Sequence, residues 1–99
     1  MKITLKGTIT KVGEIKATEK SEVREIILNK KYHDPETGEL KAEDNYPVQI
    51  WKDDMPEFAK AYDKSSRMEI SGFLNGRLID KDGKHTCFMN FTGKKFSTY

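Results

Sequence analysis

The sequence predicts an all-β fold, a five-stranded Greek-key barrel with one short helix between the third and fourth strands. Three observations carry this. Apolar residues recur at alternate positions in five separate stretches, turn-forming Asp, Gly and Pro residues punctuate them, and one segment after Trp51 has helical spacing instead. A short helix inserted after the third of five strands has a reason in a Greek-key barrel and none in a β-sandwich.

The first strand covers residues 2–10, where Ile3, Leu5 and Ile9 alternate with Lys2, Thr4, Lys6, Thr8 and Thr10. Gly7 takes an inward position, which suggests a bend or bulge where a barrel wall curls. Val12, Gly13 and Ile15 could continue the strand past it. The second strand runs from about Glu22 to Tyr32, with Ile26 and Leu28 on one face and Val23 and Ile27 on the other. A polar loop is expected over residues 33–45, with Asp34-Pro35 and Thr37-Gly38 as turn signals. The third strand spans Tyr46 to Lys52, placing Val48 and Ile50 on one face and Gln49 and Trp51 on the other.

Asp53 or Asp54 can cap a helix over about 55–64, with Pro56 tolerated in its first turn. Phe58, Ala59, Ala61 and Tyr62 form its apolar stripe, so Phe58 and Tyr62 are expected to pack on the core. The fourth strand, Arg67 to Leu74, sets Met68, Ile70, Gly72 and Leu74 on one face. Asp80-Lys-Asp-Gly83 reads as a hairpin turn, with glycine where positive φ is needed. The last strand, His85 to Phe91, places Cys87 with Met89 and Phe91, so the thiol is expected in the core as a small hydrophobe.

At 99 residues the chain has the length of one domain, residues 1–99. Hydrophobic and charged residues stand at 35% and 34%, so a compact core under a heavily charged surface is expected. No stretch has the length of a membrane span, and no apolar signal segment follows Lys2. With Cys87 alone, no intrachain disulfide can form, which together point to a cytoplasmic protein. The net charge of +2 says little, but the charges are segregated. Lys30 and Lys31 adjoin Tyr32, Lys52 adjoins Trp51, and Lys94 and Lys95 adjoin Phe96, whereas half of the acids lie in 34–44 and 53–57. Such segregation hints at a basic track.

Binding a single strand of nucleic acid requires cations for phosphates and flat side chains for unstacked bases. Trp51 has the parity opposite to Val48 and Ile50, so it points outward beside Lys52 if those two point inward. An exposed indole there implies a base stacked on it, or a loop or subunit contact covering it. Tyr32 stands similarly at a loop entrance in Lys30-Lys31-Tyr32-His33, and Phe73 is a third platform or a dimer contact. Enzyme chemistry finds no support. His33, His85 and Cys87 lack zinc-ligand spacing and a third orienting group, and the acids of 34–44 lack the spacing of a calcium loop. No metal or other cofactor is indicated.

Tyr32-His-Asp34 followed by Thr37-Gly38-Glu39 and Lys41 resembles the aromatic and Asp-x-x-Thr-Gly-Glu-x-Lys loop of the bacterial single-stranded-DNA-binding protein family. The likeness covers roughly residues 3–91, through the strand Val48-Gln-Ile-Trp51, the helix Glu57-Phe-Ala-Lys-Ala-Tyr62 and the strand Met68-Glu-Ile-Ser-Gly72-Phe-Leu74. The resemblance implies an oligonucleotide-binding (OB) fold and places Tyr32 at a base-stacking position. Alignment without a gap puts Tyr46 at a second such position and turns Trp51 inward. A one-residue gap puts Trp51 at the stacking position that closes the strand and keeps Val48 and Ile50 in the core. Leu78-Ile79 replaces an aromatic usual in the family, and the chain stops at Tyr99 without the family's glycine-rich linker and acidic tip. That pattern is of a minimal or diverged member, phage-borne, plasmid-borne or a primosome-type accessory.

Two functions follow. The first is sequence-tolerant, non-catalytic binding of single-stranded DNA, or of RNA, in replication, recombination or repair. Bases would stack on Tyr32, Trp51, Tyr46 and Phe73, and phosphates would meet Lys6, Lys30, Lys31, Lys52 and Arg77. The resemblance implies a homodimer or homotetramer joined through the first strand. The second is a protein-interaction module that kept the barrel and lost the ligand, since a fold does not settle a function.

Overall fold

A computed structural model describes residues 1–99. Five strands, β1 (Lys2–Ala17), β2 (Glu22–His33), β3 (Leu40–Trp51), β4 (Arg67–Lys81) and β5 (Lys84–Thr98), close into a barrel in the order β1-β2-β3-β5-β4. A 3-10 turn over Lys52–Asp54 leads into the helix α1 (Met55–Lys64), which lies between β3 and β4 as expected. All neighbouring strands are antiparallel except β3 and β5, which run parallel and pair only at Val48↔Phe91 and Gln49↔Thr92.

The alternations seen in the sequence decide which residues fill the barrel. Ile9, Ile26, Leu28, Val48, Ile50, Met68, Ile70 and Phe91 are buried inside it, and Phe58 and Ala61 of α1 close one end. Leaving water is what drives these side chains together, at about 25 cal/mol per Å² of apolar surface. Bulges let the sheet curl: register shifts fall between Ile9 and Lys11 and between Val12 and Ile15 on β1, and at Lys94 on β5, opposite Ser71 and Gly72. At Gly72 the β5 backbone comes so close that any Cβ would overlap the Thr92 carbonyl.

The strands are longer than their alternation indicates. β3 begins at Leu40, so the polar segment 33–45 is a turn of only six residues, 34–39, and the rest of it pairs with β2. Polar residues can sit in a strand when neither face is covered, so their polarity gave no strand signal. β4 and β5 extend to Lys81 and Lys84 around an Asp82-Gly83 turn in which both residues have positive φ, 51° and 76°. Two successive positive values make the two-residue hairpin loop whose twist suits antiparallel strands.

The basic C-terminal segment is also strand. Phe96 packs edge-on against Phe58 with ring centroids 5.7 Å apart, and Lys94 Nζ donates to Asp54 Oδ2 at 3.0 Å. Asp54 holds the position before α1, but its carboxylate meets Lys94 and does not cap the helix backbone. Tyr62 is not a core residue as expected: it is exposed and stacks on Phe58 at 5.5 Å, while Ala61 takes the buried position on the helix. Cys87 also departs from expectation, because the thiol is exposed. Its alternation with Phe91 is real, but β4 and β5 have run beyond the barrel at that level, where nothing lies over that face.

Those overrunning strands give the molecule its shape. The radius of gyration is 15.6 Å, against about 13 Å for a compact chain of this length. Two hairpin arms project, one from β2–β3 and one from β4–β5.

Candidate nucleic-acid interface

Two forks in the sheet set up the surface around the arms. β1 and β2 pair from Thr8↔Asn29 onward in one direction only; past Asn29, β2 continues with β3 and leaves β1 behind. β3 and β5 likewise part before Val48 and Phe91 and run out into separate arms. Because these two strands are parallel, their arms leave the barrel on the same side.

The β2–β3 arm is held by local chemistry that the sequence motif supplies. Asp34 Oδ1 accepts from the backbone N–H groups of Glu36 at 2.8 Å and Thr37 at 3.2 Å, and Gly38 turns the chain with φ of 75°. Thr37 Oγ1 accepts from the Glu39 N–H at 3.2 Å, and Lys41 Nζ lies 3.8 Å from Asp34 and 3.9 Å from Glu39. The Asp-x-x-Thr-Gly-Glu-x-Lys residues therefore build the turn. At the arm's neck the Asn29 amide, almost fully buried, donates to Glu43 Oε1 at 2.5 Å and Asn45 Oδ1 at 2.9 Å.

On this arm Tyr32 and Tyr46 share the parity of the buried Leu28 and Val48, so they continue the barrel's inner face beyond the core. Tyr32 is 39% exposed, and Lys30 Nζ stands 5.3 Å from its ring centroid. Tyr46 is half-buried against the core, and its hydroxyl donates to Asp44 Oδ2 at 3.2 Å. The hydrogen bond with Tyr32, then partial burial, then the Asp44 carboxylate push the Tyr46 phenol up to about 12. Trp51, half-buried, takes the opposite parity beside Val23, as expected from the inward Val48 and Ile50.

The fork between β1 and β2 is a groove of about 470 Å³ lined by ten residues, among them Lys6, Lys30, Lys31, His33 and Arg67. None of the ten has an acidic side chain, although Glu69 approaches Lys6 to 3.9 Å from outside. Three of the cations expected from sequence thus converge here from two strands. Arg67 and Tyr99, which also line the groove, were not singled out from sequence. Arg67 opens β4 opposite Thr8, and Tyr99 follows the end of β5, so their place beside Lys6 depends on strand pairing between distant segments.

The other expected residues lie elsewhere. Lys52 is exposed in the 3-10 turn after Trp51. Phe73, 44% exposed, sits on the outer face of β4 between Lys2 and Thr92. Arg77 is on the β4–β5 arm opposite Phe88. That arm is notably apolar: Leu78 and Met89 are 64% and 63% exposed, with Ile79 and Phe88 also uncovered.

No family model matches the sequence, and no curated protein matches it. Solved structures do match in shape. An SSB from Plasmodium falciparum in complex with ssDNA is 18% identical, aligning over 92% of this chain and 83% of its own with a TM-score of 0.59. A small single-stranded DNA binding protein from Mycoplasma pneumoniae is 17% identical over 96% and 89%, with a TM-score of 0.65. A small single-stranded DNA-binding protein from Streptomyces coelicolor is 10% identical over 100% and 94%, with a TM-score of 0.62. At these identities the architecture is what is shared, and with the closed five-stranded barrel and its helix between β3 and β4 it identifies this chain as an OB fold similar to that of single-stranded-DNA-binding proteins.

Proposed function

We propose that this protein binds single-stranded DNA without sequence preference and performs no chemistry on it. The observation that carries the reading is the groove at the β1–β2 fork, where Lys6, Lys30, Lys31 and Arg67 line a surface with no acidic side chain beside the half-exposed Tyr32. Cations there meet phosphates, and Tyr32 and Tyr46 offer ring faces to unstacked bases, each stack contributing about 1–3 kcal/mol. Trp51 with Lys52, and Phe73 and Arg77, extend the reading to a longer strand that passes around the barrel. The similarity to solved single-stranded-DNA-binding proteins supports it. Activity in the cytoplasm as a homodimer or homotetramer, in replication, recombination or repair, belongs to the same proposal.

The test is fluorescence anisotropy of labelled oligo-dT against a duplex of equal length. Tight binding of the single strand and weaker binding of the duplex are expected, because paired bases hide their faces. Equal affinity for both would reduce the protein to a general polyanion binder. No binding to either would refute the reading. In that case the uncovered Leu78, Ile79, Phe88 and Met89 of the β4–β5 arm would favour a protein-interaction module, since clustered exposed apolar side chains mark contact surfaces.

A further inference from the structure

We infer that Tyr99, with Lys6 and Arg67, forms a second nucleotide platform across the groove from Tyr32. The inference rests on the single-strand reading above and adds a base-stacking site to it. Tyr99 follows β5 where Thr98 pairs with Met68, so the ring lies beside Arg67 and near Gly7 of the neighbouring β1. Its hydroxyl reaches the Gly7 carbonyl at 3.5 Å. Arg67 Cζ is 4.8 Å and Lys6 Nζ 5.5 Å from the ring centroid, so two cations stand over the aromatic ring of a residue that is 48% exposed.

This constellation combines what a nucleotide needs. A base stacks on the part of the ring that the two cations leave open, and both cations, standing over the same ring, are close enough to meet its phosphates. Arg67 is steadied from below, because its backbone N–H donates to Ser65 Oγ at 3.0 Å. The opposite wall of the groove carries Lys30, Lys31 and His33 and leads to Tyr32. A strand lying across the fork would therefore have an aromatic platform at each side and cations between them. Lys30 stands over the Tyr32 ring in the same way that Lys6 and Arg67 stand over Tyr99.

The experiment compares wild type, Tyr99→Phe, Tyr99→Leu and Tyr32→Ala by anisotropy with labelled oligo-dT, with thermal melting of each. Tyr99→Phe keeps the ring and should bind within about twofold of wild type. Tyr99→Leu keeps apolar bulk without a π-face and should bind about tenfold more weakly at unchanged melting, as loss of one stack implies. If Tyr99→Leu binds like wild type, or more tightly because the ring had been obstructing the groove, the platform is refuted while a weakened Tyr32→Ala still upholds the single-strand reading. If Tyr99→Leu and Tyr99→Phe weaken binding equally, the hydroxyl contact and not stacking is responsible, and the platform is likewise refuted. If wild type does not bind oligo-dT, both fall together. A bromodeoxyuridine oligonucleotide cross-linked by light and mapped by mass spectrometry gives a check that needs no variant: attachment at Tyr99 supports the site, and attachment confined to other residues overturns it.

Discussion

Tyr32→Ala separates a ligand-facing aromatic from a structural one. Tyr32 is 39% exposed and outside the buried cluster, so removing its ring opens no cavity in the barrel. What folding loses is the polar interaction by which Tyr32 helps to shift the Tyr46 phenol, at most the roughly 0.5–1.5 kcal/mol of a neutral hydrogen bond, since the Tyr46 hydroxyl itself donates to Asp44. For a domain of this size 1 kcal/mol lowers the melting temperature by roughly 4–8 °C. Binding should lose more, because a base–aromatic stack is worth about 1–3 kcal/mol, a five- to 150-fold rise in Kd. The Lys30 ammonium, 5.3 Å from the ring, stays after the substitution, so the salt dependence of the remaining binding should be unchanged. Tyr32→Phe keeps the stacking face and should bind like wild type. Anisotropy titrations with oligo-dT at three salt concentrations, with melting followed by circular dichroism, provide all these quantities. A Kd within twofold of wild type would refute the stacking role. A fall in melting well beyond 8 °C would show that the ring is structural.

The four groove cations, Lys6, Lys30, Lys31 and Arg67, set an expected slope of log K against log salt of about −3, taking roughly −0.7 per phosphate for a single strand; a slope near zero would mean that the groove does not meet phosphates. Trp51→Ala should weaken oligo-dT binding with melting lowered only slightly, since the indole faces away from Val48 and Ile50, whereas a stability loss of about 3–5 kcal/mol would mark a core residue. The raised Tyr46 phenol favours the protonated form in the folded state, so its contribution to stability is complete below about pH 10 and is lost as pH rises through about 12. A phenolate difference titration against Tyr46→Phe should find this step near pH 12, and Tyr32→Phe should move it lower; an unmoved step would exclude the Tyr32 hydroxyl as its leading cause. Cys87 should react with a thiol reagent in the native protein without unfolding, and protection released only by denaturant would contradict its exposure.

The sequence alone determined the elements and their inner faces. Alternation in Ile3-Thr-Leu, Ile26-Ile-Leu28, Val48-Gln-Ile50 and Met68-Glu-Ile70 follows from the two-residue period of a strand, and the helix over 55–64 from its apolar spacing. The Asp-x-x-Thr-Gly-Glu-x-Lys turn was equally legible, because its bonds join residues no more than seven apart. Tertiary pairing alone decided where strands part company. The fork past Thr8↔Asn29 opens the basic groove, and the pairing of β1 with β4 and of β4 with β5 brings Arg67 and Tyr99 beside Lys6 from distant parts of the sequence. Parting of β3 and β5 before Val48↔Phe91 leaves Cys87 and Met89 uncovered, although their alternation with Phe91 is unbroken. Alternation states which side of a sheet a residue takes. Whether anything lies over that side depends on how far each strand runs past its neighbours, a long-range property that no local pattern of residues encodes.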